Sequence, residues 1–381
     1  MYQKPLPKRI TNLSDDEAIH LINECRSQLG KELAILGHHY QRNDVIQFAD
    51  FTGDSLKLSQ IAGEQDAKYI VFCGVHFMAE SADILTSDQQ TVLLPDMTAG
   101  CSMSDMADID EVEDAWDVFT EQLPDIDCVV PATYVNSSAS VKAFTGKNGG
   151  VCVTSSNCKS IFTEIWREAP EAIIFFLPDE HLGRNTAFEM GIPLEQMPVF
   201  DPFKENGGIS AEQYKNAKVI LWRGFCSVHG EFNVEQIKEA REKNSDVNIM
   251  VHPECNFDVV QAADSSGSTA AIIKTLEAAP DHSEWVIGTE INLVKRMAEK
   301  LKERHITVRS LSGKACPCAT MYRIDLPHLA WILENIYQHS QNPEIPLANI
   351  IVVAPNEKEQ SLIALNKMMT ISKTAQKDIA S

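Results

Sequence analysis

Short runs of apolar residues alternate with amphipathic segments along most of the chain. The segment at 14–30 begins with Ser14 and three acidic residues, which predicts a capped amphipathic helix. The apolar run at 33–36 then predicts a buried strand that ends at His38. Short apolar strands that alternate with helices are typical of parallel sheets with right-handed crossovers. The pattern therefore predicts an α/β fold.

The same order of elements occurs three times. The predicted strands lie at 33–36, 69–73 and 91–95, then at 128–130, 150–153, 172–177 and 218–222, and finally at 247–251, 284–287 and 307–311. The separation from His38 to Ser55 in the first pass equals that from His252 to Thr269 in the third. The matching spacing of these polar residues favours three related units. Against this, sequence identity between the units is negligible, and any α/β protein has polar strand ends.

The passes predict three domains and an extension. The boundaries are 1–108, 109–230 and 231–335, and the extension at 336–381 is expected to pack back on the core. Within the extension, the pattern predicts a strand at 349–353, a helix at 357–369 and a frayed end.

Polar motifs lie where the predicted strands end. Ligands of parallel sheets bind outside the carboxyl ends of the strands. Three units that face inward would therefore surround one central cavity with these motifs.

The net charge of −21 argues against nucleic acid or an anionic membrane as a partner. No apolar stretch approaches the roughly 20 residues of a membrane span, and the N-terminus has no apolar signal core. We therefore expect a cytoplasmic protein, in which ten cysteines are better explained as metal ligands or buried thiols than as disulfides.

Three cysteines close the three passes: Cys101, Cys226 and Cys318. Each follows a glycine within a few residues, where the backbone can bend and amides can point at an anionic sulfur. Structural zinc usually takes four ligands, often from CxxC pairs, and the sequence contains no CxxC. One thiolate from each unit suits a cubane iron–sulfur cluster better, with one iron open as a Lewis acid. Burial as an apolar thiol is the alternative, which we expect for Cys25, Cys73, Cys128, Cys152 and Cys158.

Groups that transfer protons near neutral pH follow two of the strands. His38, His39 and Tyr40 end the first strand of the first pass, and His252 and Glu254 hold the matching place in the third.

Hydroxyl groups stand near predicted helix starts, where they can bind carboxylate or phosphate, although simple N-capping explains each one as well. These residues are Ser55, Ser155, Ser268 and Thr269. The run Asp179-Glu180-His181 is a weak candidate for acid–base or metal chemistry, since loop capping explains it equally.

Together these residues resemble the quinolinate synthase family, in its longer form with a Cys-Pro-Cys motif. The resemblance covers about 33–335 and is carried by Gly37-His38-His39-Tyr40-Gln41, Gly53-Asp54-Ser55-Leu56, Phe77-Met78-Ala79-Glu80, Tyr134-Val135-Asn136-Ser137, Thr154-Ser155, His252-Pro253-Glu254-Cys255, Gly267-Ser268-Thr269 and Ile287-Gly288-Thr289-Glu290. It implies three similar three-layer αβα domains around a pseudo-threefold axis. It also implies an enzyme of de novo NAD biosynthesis that condenses iminosuccinate with dihydroxyacetone phosphate, a transferase-type reaction with loss of phosphate and water.

The resemblance also implies a cofactor and a site. The cofactor is a [4Fe-4S] cluster on Cys101, Cys226 and Cys318 with one open iron. The implied substrate-binding residues are His38, Ser55, Tyr134, Val135, Asn136, Ser155, His252, Pro253, Glu254 and Thr269. The implied catalytic residues are His38, Tyr40, Tyr134, His252 and Glu254. The implied transient partner is L-aspartate oxidase, which supplies iminosuccinate.

The third cluster ligand departs from the enterobacterial pattern, whose last motif is CxxCxxC. Here the motif is Cys316-Pro317-Cys318, so both thiols are candidates. We prefer Cys318 because Met321 follows it at the spacing common in the family.

Two other functions use the same features. An aconitase-like hydro-lyase would use the open iron without a phosphate site. An iron–sulfur redox sensor would switch the Cys-Pro-Cys pair between thiols and disulfide, but it would need no hydroxyl-rich helix starts.

Overall fold

The computed structural model describes residues 2–313 and 317–380. Its strands are β1 Leu33–His38, β2 Phe51–Gly53, β3 Tyr69–Cys73, β4 Thr91–Leu93, β5 Val129–Tyr134, β6 Val151–Val153, β7 Ile173–Leu177, β8 Val199–Phe200, β9 Val219–Trp222, β10 Asn248–Val251, β11 Ser265–Ser266, β12 Glu284–Gly288 and β13 Thr307–Ser310. Its α-helices are α1 Lys8–Thr11, α2 Asp15–Leu29, α3 Asn43–Ile46, α4 Ser55–Glu64, α5 His76–Leu85, α6 Ser102–Asp105, α7 Ile109–Gln122, α8 Ala139–Lys147, α9 Cys158–Glu168, α10 Glu180–Glu189, α11 Ala211–Asn216, α12 Val234–Lys243, α13 Phe257–Ala262, α14 Thr269–Glu277, α15 Ile291–Lys300, α16 Leu326–Gln341 and α17 Pro355–Ala380.

The described residues form three sheets in which all strands are parallel. The strand orders are β2-β1-β3-β4, β6-β5-β7-β9-β8 and β11-β10-β12-β13. The order is the same in each sheet, apart from the added edge strand β8 in the second. Together with the helices packed around the sheets, this confirms the predicted α/β class with three similar αβα domains. Each sheet lies within one of the three predicted ranges, whose boundaries stay a prediction.

A hydrogen-bonding motif is repeated in the first and third sheets. In the first, Asp50 accepts the backbone N–H of Ile35 at 2.8 Å and the guanidinium of Arg26 at 2.7 Å. In the third, Asp264 accepts the N–H of Ile249 at 2.7 Å and the guanidinium of Arg241 at 2.7 Å. A carboxylate thus fixes the first strand of both units in the same way, which supports an internal repeat.

By contacts, the chain divides into two compact units. One comprises Met1–Cys101 with Pro317–Ala354, and the other Ser102–Cys316 with Pro355–Ser381. The first unit has its own core, in which α2 packs against α16 over the β1–β4 sheet. The predicted cap of α2 is present, since the Ser14 hydroxyl accepts the Glu17 N–H while the Glu17 carboxylate accepts the Ser14 N–H.

The second unit contains the other two sheets and ends in α17, which packs on α8, α9 and β6. The approach of α17 to α8 is close at Gly146, where a Cβ would lie 1.9 Å from the carbonyl oxygen of Gln360. None of the helices in 2–313 and 317–380 is both long enough and apolar enough to cross a membrane.

The C-terminal extension differs from the sequence prediction. No strand forms at 349–353 among the described residues, where Ile350 makes only one antiparallel bridge to Leu93. Asn349 has a φ of 51°, which interrupts an extended chain, and its side chain donates to the carbonyls of Leu94 and Pro95. Helix α17, Pro355–Ala380, is longer than the predicted helix at 357–369, whereas fraying of the end stays a prediction.

Candidate active site

His38 and His252 have the same local geometry. His38 ends β1 in the first compact unit, and His252 follows β10 in the second. The N–H of Glu254 donates to Nδ1 of His252 at 3.3 Å, just after β10. The N–H of Tyr40 donates to Nδ1 of His38 at 3.1 Å, at the end of β1. Because Nδ1 accepts in both, a neutral ring carries its proton on Nε2. Both side chains are therefore hydrogen-bond donors at the carboxyl ends of their sheets.

Glu254 is a buried carboxylate of the second unit with a polar partner at each oxygen. It is 3% exposed. Its Oε1 accepts the Tyr134 hydroxyl at 2.7 Å, and its Oε2 lies 2.8 Å from Nδ1 of His229. Tyr134 ends β5, so a phenol from one sheet meets a carboxylate that follows a strand of another. This pairing provides a buried route for a proton between two side chains.

His229 completes this group. It is 1% exposed, and its Nε2 lies 3.2 Å from the hydroxyl of Thr289 at the end of β12. Its ring stacks on that of His252, with centroids 4.3 Å apart and planes at 13°. The imidazole is thus held by hydrogen bonds at both nitrogens and by a second ring on its face.

Burial and neighbours set the charges of this group. Burial raises the pKa of Glu254, but His252, His229 and the hydrogen bonds from His229 and Tyr134 outweigh it and lower that pKa to about 2. Burial and the neighbouring His229 lower the pKa of His252 to about 3. Near neutral pH, Glu254 is therefore an anion that can accept a proton, and His252 is a neutral donor.

Asp179 from the weak candidate run lies in the same environment. It is completely buried after β7, and its Oδ1 accepts the Leu182 N–H at 2.7 Å as the N-cap of α10. Its Oδ2 has no hydrogen-bond partner among the described residues. Burial and then the charge of Glu254 raise the pKa of Asp179 well above its ordinary value. His181 and Glu180 make contacts with Arg184 instead, so the run does not act as one cluster.

Helix α10 also supports the loop that carries Glu254. The Asn185 side-chain amide donates to the carbonyls of Pro253 and Cys255, at 2.9 Å each. These carbonyls lie on either side of Glu254 in the chain, so one buried amide fixes the backbone around it.

Cys226 lies beside the Glu254 group. Its Sγ, a ring nitrogen of His229 and a carboxylate oxygen of Glu254 all lie within 4.8 Å of one another. The loop needs Gly224, since a Cβ there would lie 2.3 Å from the carbonyl oxygen of Pro178. The second unit therefore presents a partly exposed thiol next to His229 and Glu254.

Cys101 and Cys318 belong to the first unit, where both pack at the edge of the same core. Buried Asp96 links their two segments. Its carboxylate accepts the Thr98 N–H at 2.8 Å, three residues before Cys101, and the guanidinium of Arg323 at 3.1 Å. Both thiols are partly exposed. Cys316, the alternative to Cys318, lies outside the described residues.

The other cysteines fit a ligand role less well. Burial raises the pKa of Cys25 to about 11 and of Cys73, Cys152 and Cys158 to about 12, which disfavours the thiolate that binds iron. Cys255 is buried too, although it was not among the thiols expected to be buried. The expectation of burial is wrong for Cys128, which is partly exposed and donates to the Asp125 carbonyl. The partly exposed thiols of Cys101 and Cys318 in the first unit, and of Cys226 in the second, are thus better suited to bind iron than the buried thiols.

The candidate hydroxyls are placed differently from one another. Ser55 and Thr269 are the first residues of α4 and α14, but the caps are the side chains of Asp54 and Ser268. N-capping therefore does not explain Ser55 and Thr269, which are both buried. Ser155 lies in the turn before α9 and is half-buried.

Two further predicted substrate-binding residues follow Tyr134. The Val135 N–H donates to the carbonyl of Val153 at 2.9 Å, and the Asn136 side chain is half-buried. The sequence interpretation missed His229, whose only local signal is its place three residues after Cys226.

Comparison with known proteins gives one family. A family model described as quinolinate synthetase A protein matches residues 20–370. A protein of Bacillus anthracis named quinolinate synthase is 48% identical over 365 residues, which are 96% of each chain. A Bacillus cereus protein of the same name is 49% identical over the same shares.

Proposed function

The chain belongs to the quinolinate synthetase A family, and we propose that Tyr134, His229 and Glu254 move protons in its reaction. That reaction condenses iminosuccinate with dihydroxyacetone phosphate to quinolinate, with loss of phosphate and water. The observation that carries the proposal is the buried hydrogen bond of 2.7 Å between the Tyr134 hydroxyl and the Glu254 carboxylate. Imine formation, tautomerisation and ring closure each need a proton to be moved at a defined position.

In this proposal Glu254 is the base. Its carboxylate is anionic, buried and fixed by two hydrogen bonds, so little reorganisation accompanies proton uptake. Tyr134 passes protons between Glu254 and the substrate, and His229 orients the carboxylate. In the other unit, Tyr40 takes a part in proton transfer, as its place after His38 implies.

The substrates carry two carboxylates and a phosphate, which the remaining residues bind. His38 and His252 donate from Nε2, a role that their fixed tautomers favour. The hydroxyls of Ser55, Ser155 and Thr269 and the side chain of Asn136 supply neutral hydrogen bonds, together with free amides at helix starts. Val135 and Pro253 contribute through the backbone and through shape. This choice of groups suits a small anionic substrate in a protein whose net charge is −21.

We assign the cofactor to Cys101, Cys226 and Cys318, with one thiolate each to a [4Fe-4S] cluster. When bound, such a cluster with one open iron supplies a Lewis acid for the loss of a hydroxyl group. The support is the donor chemistry: these thiols are partly exposed, whereas five of the other cysteines within 2–313 and 317–380 are buried. Iminosuccinate is unstable in water, so a transient encounter with L-aspartate oxidase in the cytoplasm is part of the proposal.

The test is product formation by protein that carries a full cluster. The cluster is reconstituted anaerobically, iminosuccinate is generated in place, dihydroxyacetone phosphate is added, and quinolinate is measured. We expect quinolinate from the wild type and a loss of kcat of about 10²- to 10⁴-fold in Glu254→Gln and Tyr134→Phe. Tyr214→Phe is the matched control, since Tyr214 is also buried and its hydroxyl donates to Asn206. No product from fully loaded protein would exclude the proposed reaction.

A second test concerns the ligands. Cys→Ser at each of the three assigned positions should abolish the visible absorption of the cluster, whereas Cys128→Ser should keep it. Cys128 is the matched control because it is partly exposed too. Retention in Cys318→Ser with loss in Cys316→Ser would move the third ligand to Cys316.

A further inference from the structure

Three side chains of the second unit form a donor set of zinc type. The Cys226 sulfur, a His229 nitrogen and a Glu254 oxygen lie within 4.8 Å of one another, and Glu254 Oε2 is 2.8 Å from His229 Nδ1. Thiolate, imidazole and carboxylate are the ligands that bind zinc in proteins, at about 2.0–2.3 Å from the metal. A tetrahedral ion would hold such donors about 3–4 Å apart. Small side-chain movements therefore suffice to close the set around one ion.

The groups behind these ligands are also those of a metal site. A histidine that binds a metal usually donates its other ring N–H to an oxygen, and ligating carboxylates are hydrogen-bonded in turn. Thr289 Oγ1 lies 3.2 Å from Nε2 of His229. The Tyr134 hydroxyl donates to Glu254 Oε1 and leaves Oε2 on the side of His229. Both buried ligands thus have their supporting partners in place.

We propose that the cluster-free protein binds one Zn²⁺ through Cys226, His229 and Glu254, and that this zinc blocks cluster assembly. Binding needs no change of oxidation state. The thiol proton of Cys226 leaves to solvent. The ring proton of His229 moves from Nδ1 to Nε2 by exchange with solvent, so the metal binds Nδ1 and the Nε2–H donates to Thr289. Three protein ligands leave the fourth position to water. The blocking effect rests on the proposed role of Cys226 as a cluster ligand, whereas zinc binding does not.

The measurement uses the full chain without cluster, under anaerobic conditions, titrated with Zn²⁺ alone against a chromophoric chelator. We expect one tight equivalent in the wild type. Thr289→Val keeps the shape of the side chain but removes the hydroxyl next to Nε2 of His229. It should raise the Kd for zinc about 10- to 100-fold. His229→Gln should raise the Kd for zinc further. Circular dichroism of each variant shows whether it is folded. If His229→Gln does not fold, Thr289→Val still tests the site.

The matched controls are Cys101→Ser and Cys318→Ser. Both remove an assigned cluster ligand from the first unit, and both should leave the zinc Kd unchanged. Loss of zinc binding in these controls would place zinc on the three cluster cysteines and overturn the proposal. A Kd that is unaffected by Thr289→Val and His229→Gln would overturn it too. Cobalt(II) should show a thiolate charge-transfer band that Cys226→Ser removes.

Cluster assembly is then followed by absorbance, without any activity assay. One equivalent of zinc added before reconstitution should prevent cluster formation in the wild type, and His229→Gln should escape this block. A cluster that forms at full yield beside bound zinc would overturn the blocking effect and remove Cys226 from the ligand set. Failure of quinolinate synthesis alone would leave the zinc site untouched, so the two proposals fail separately.

Discussion

Replacement of Asp179 by asparagine tests whether a buried carboxyl is kept neutral beside Glu254. Asn is as good an N-cap as Asp, so its oxygen can still accept the Leu182 N–H that Asp179 accepts at 2.7 Å. The change removes the titration and keeps the shape and the cap. Differences from the wild type that depend on pH therefore report the ionisation of Asp179.

The sign follows from the raised pKa. In the unfolded chain Asp179 titrates near its ordinary value, whereas in the folded protein burial and the charge of Glu254 hold its pKa well above that. Between the two pKa values the folded state binds more protons than the unfolded state, so stability falls as pH rises. As pH rises, the free energy of unfolding of the wild type should therefore fall by up to about 1.4 kcal/mol per pH unit relative to that of Asp179→Asn.

The magnitude is large enough to measure. Above about pH 5 the free energy of unfolding of the variant relative to the wild type should rise with pH, by at most about 1.4 kcal/mol per pH unit. The assay is urea unfolding of the cluster-free chain, monitored by circular dichroism, with both proteins measured side by side at each pH. Urea is preferred because it does not screen charges. The buried amide adds an offset that does not depend on pH.

The reasoning would be refuted by a difference between variant and wild type that stays constant with pH. A constant difference above about pH 5 would mean that Asp179 has the same charge in the folded and the unfolded protein. Asp201→Asn serves as the control, because the pKa of that buried carboxylate is lowered rather than raised, by hydrogen bonds from Phe203, Lys204 and Arg223 that outweigh its burial.

Two more predictions concern the fold. Asp50→Ala should cost about 1–3 kcal/mol because it leaves the Ile35 N–H unpaired, whereas Asp50→Asn keeps an acceptor and should cost under about 1 kcal/mol. Asp264→Ala and Asp264→Asn should show the same ranking in urea unfolding, and a different ranking would contradict the repeat. Gly146→Ala should lower the melting temperature, although Ala favours helices, because its Cβ would strike the Gln360 carbonyl and displace α17 from α8. A raised melting temperature would contradict that packing.

The sequence predicted the longer elements well because their apolar runs were long enough to show a period. The predicted helix at 14–30 agrees with α2, Asp15–Leu29. The strands β2 and β11 were missed, since three and two residues carry no period. These segments are strands because their backbones pair with β1 and β10. Such pairing is a tertiary effect that a local sequence pattern does not show.

His229 shows why the site was predicted only in part. It follows no strand and opens a short 3₁₀ turn, so the rule that polar residues at strand ends form the site does not select it. Its partner Glu254 is 25 positions away in sequence, and Thr289 is 60 away. The fold brings these segments together, and only then does His229 contact Glu254 and Thr289. Asp179, in contrast, was noticed as a polar cluster, but its burial depends on packing that spacing does not encode.

The repeated local geometry explains how one fold can divide its chemistry among related strand ends. In both His38-His39-Tyr40 and His252-Pro253-Glu254, the N–H two residues on holds Nδ1 of the histidine, so the ring keeps its proton at Nε2. The backbone bond is the same whatever the side chain two residues on. That position can therefore vary between a phenol and a carboxylate while the histidine stays a donor. We expect the histidines to bind substrate oxygens and the residues after them, Tyr40 and Glu254, to carry the proton transfers.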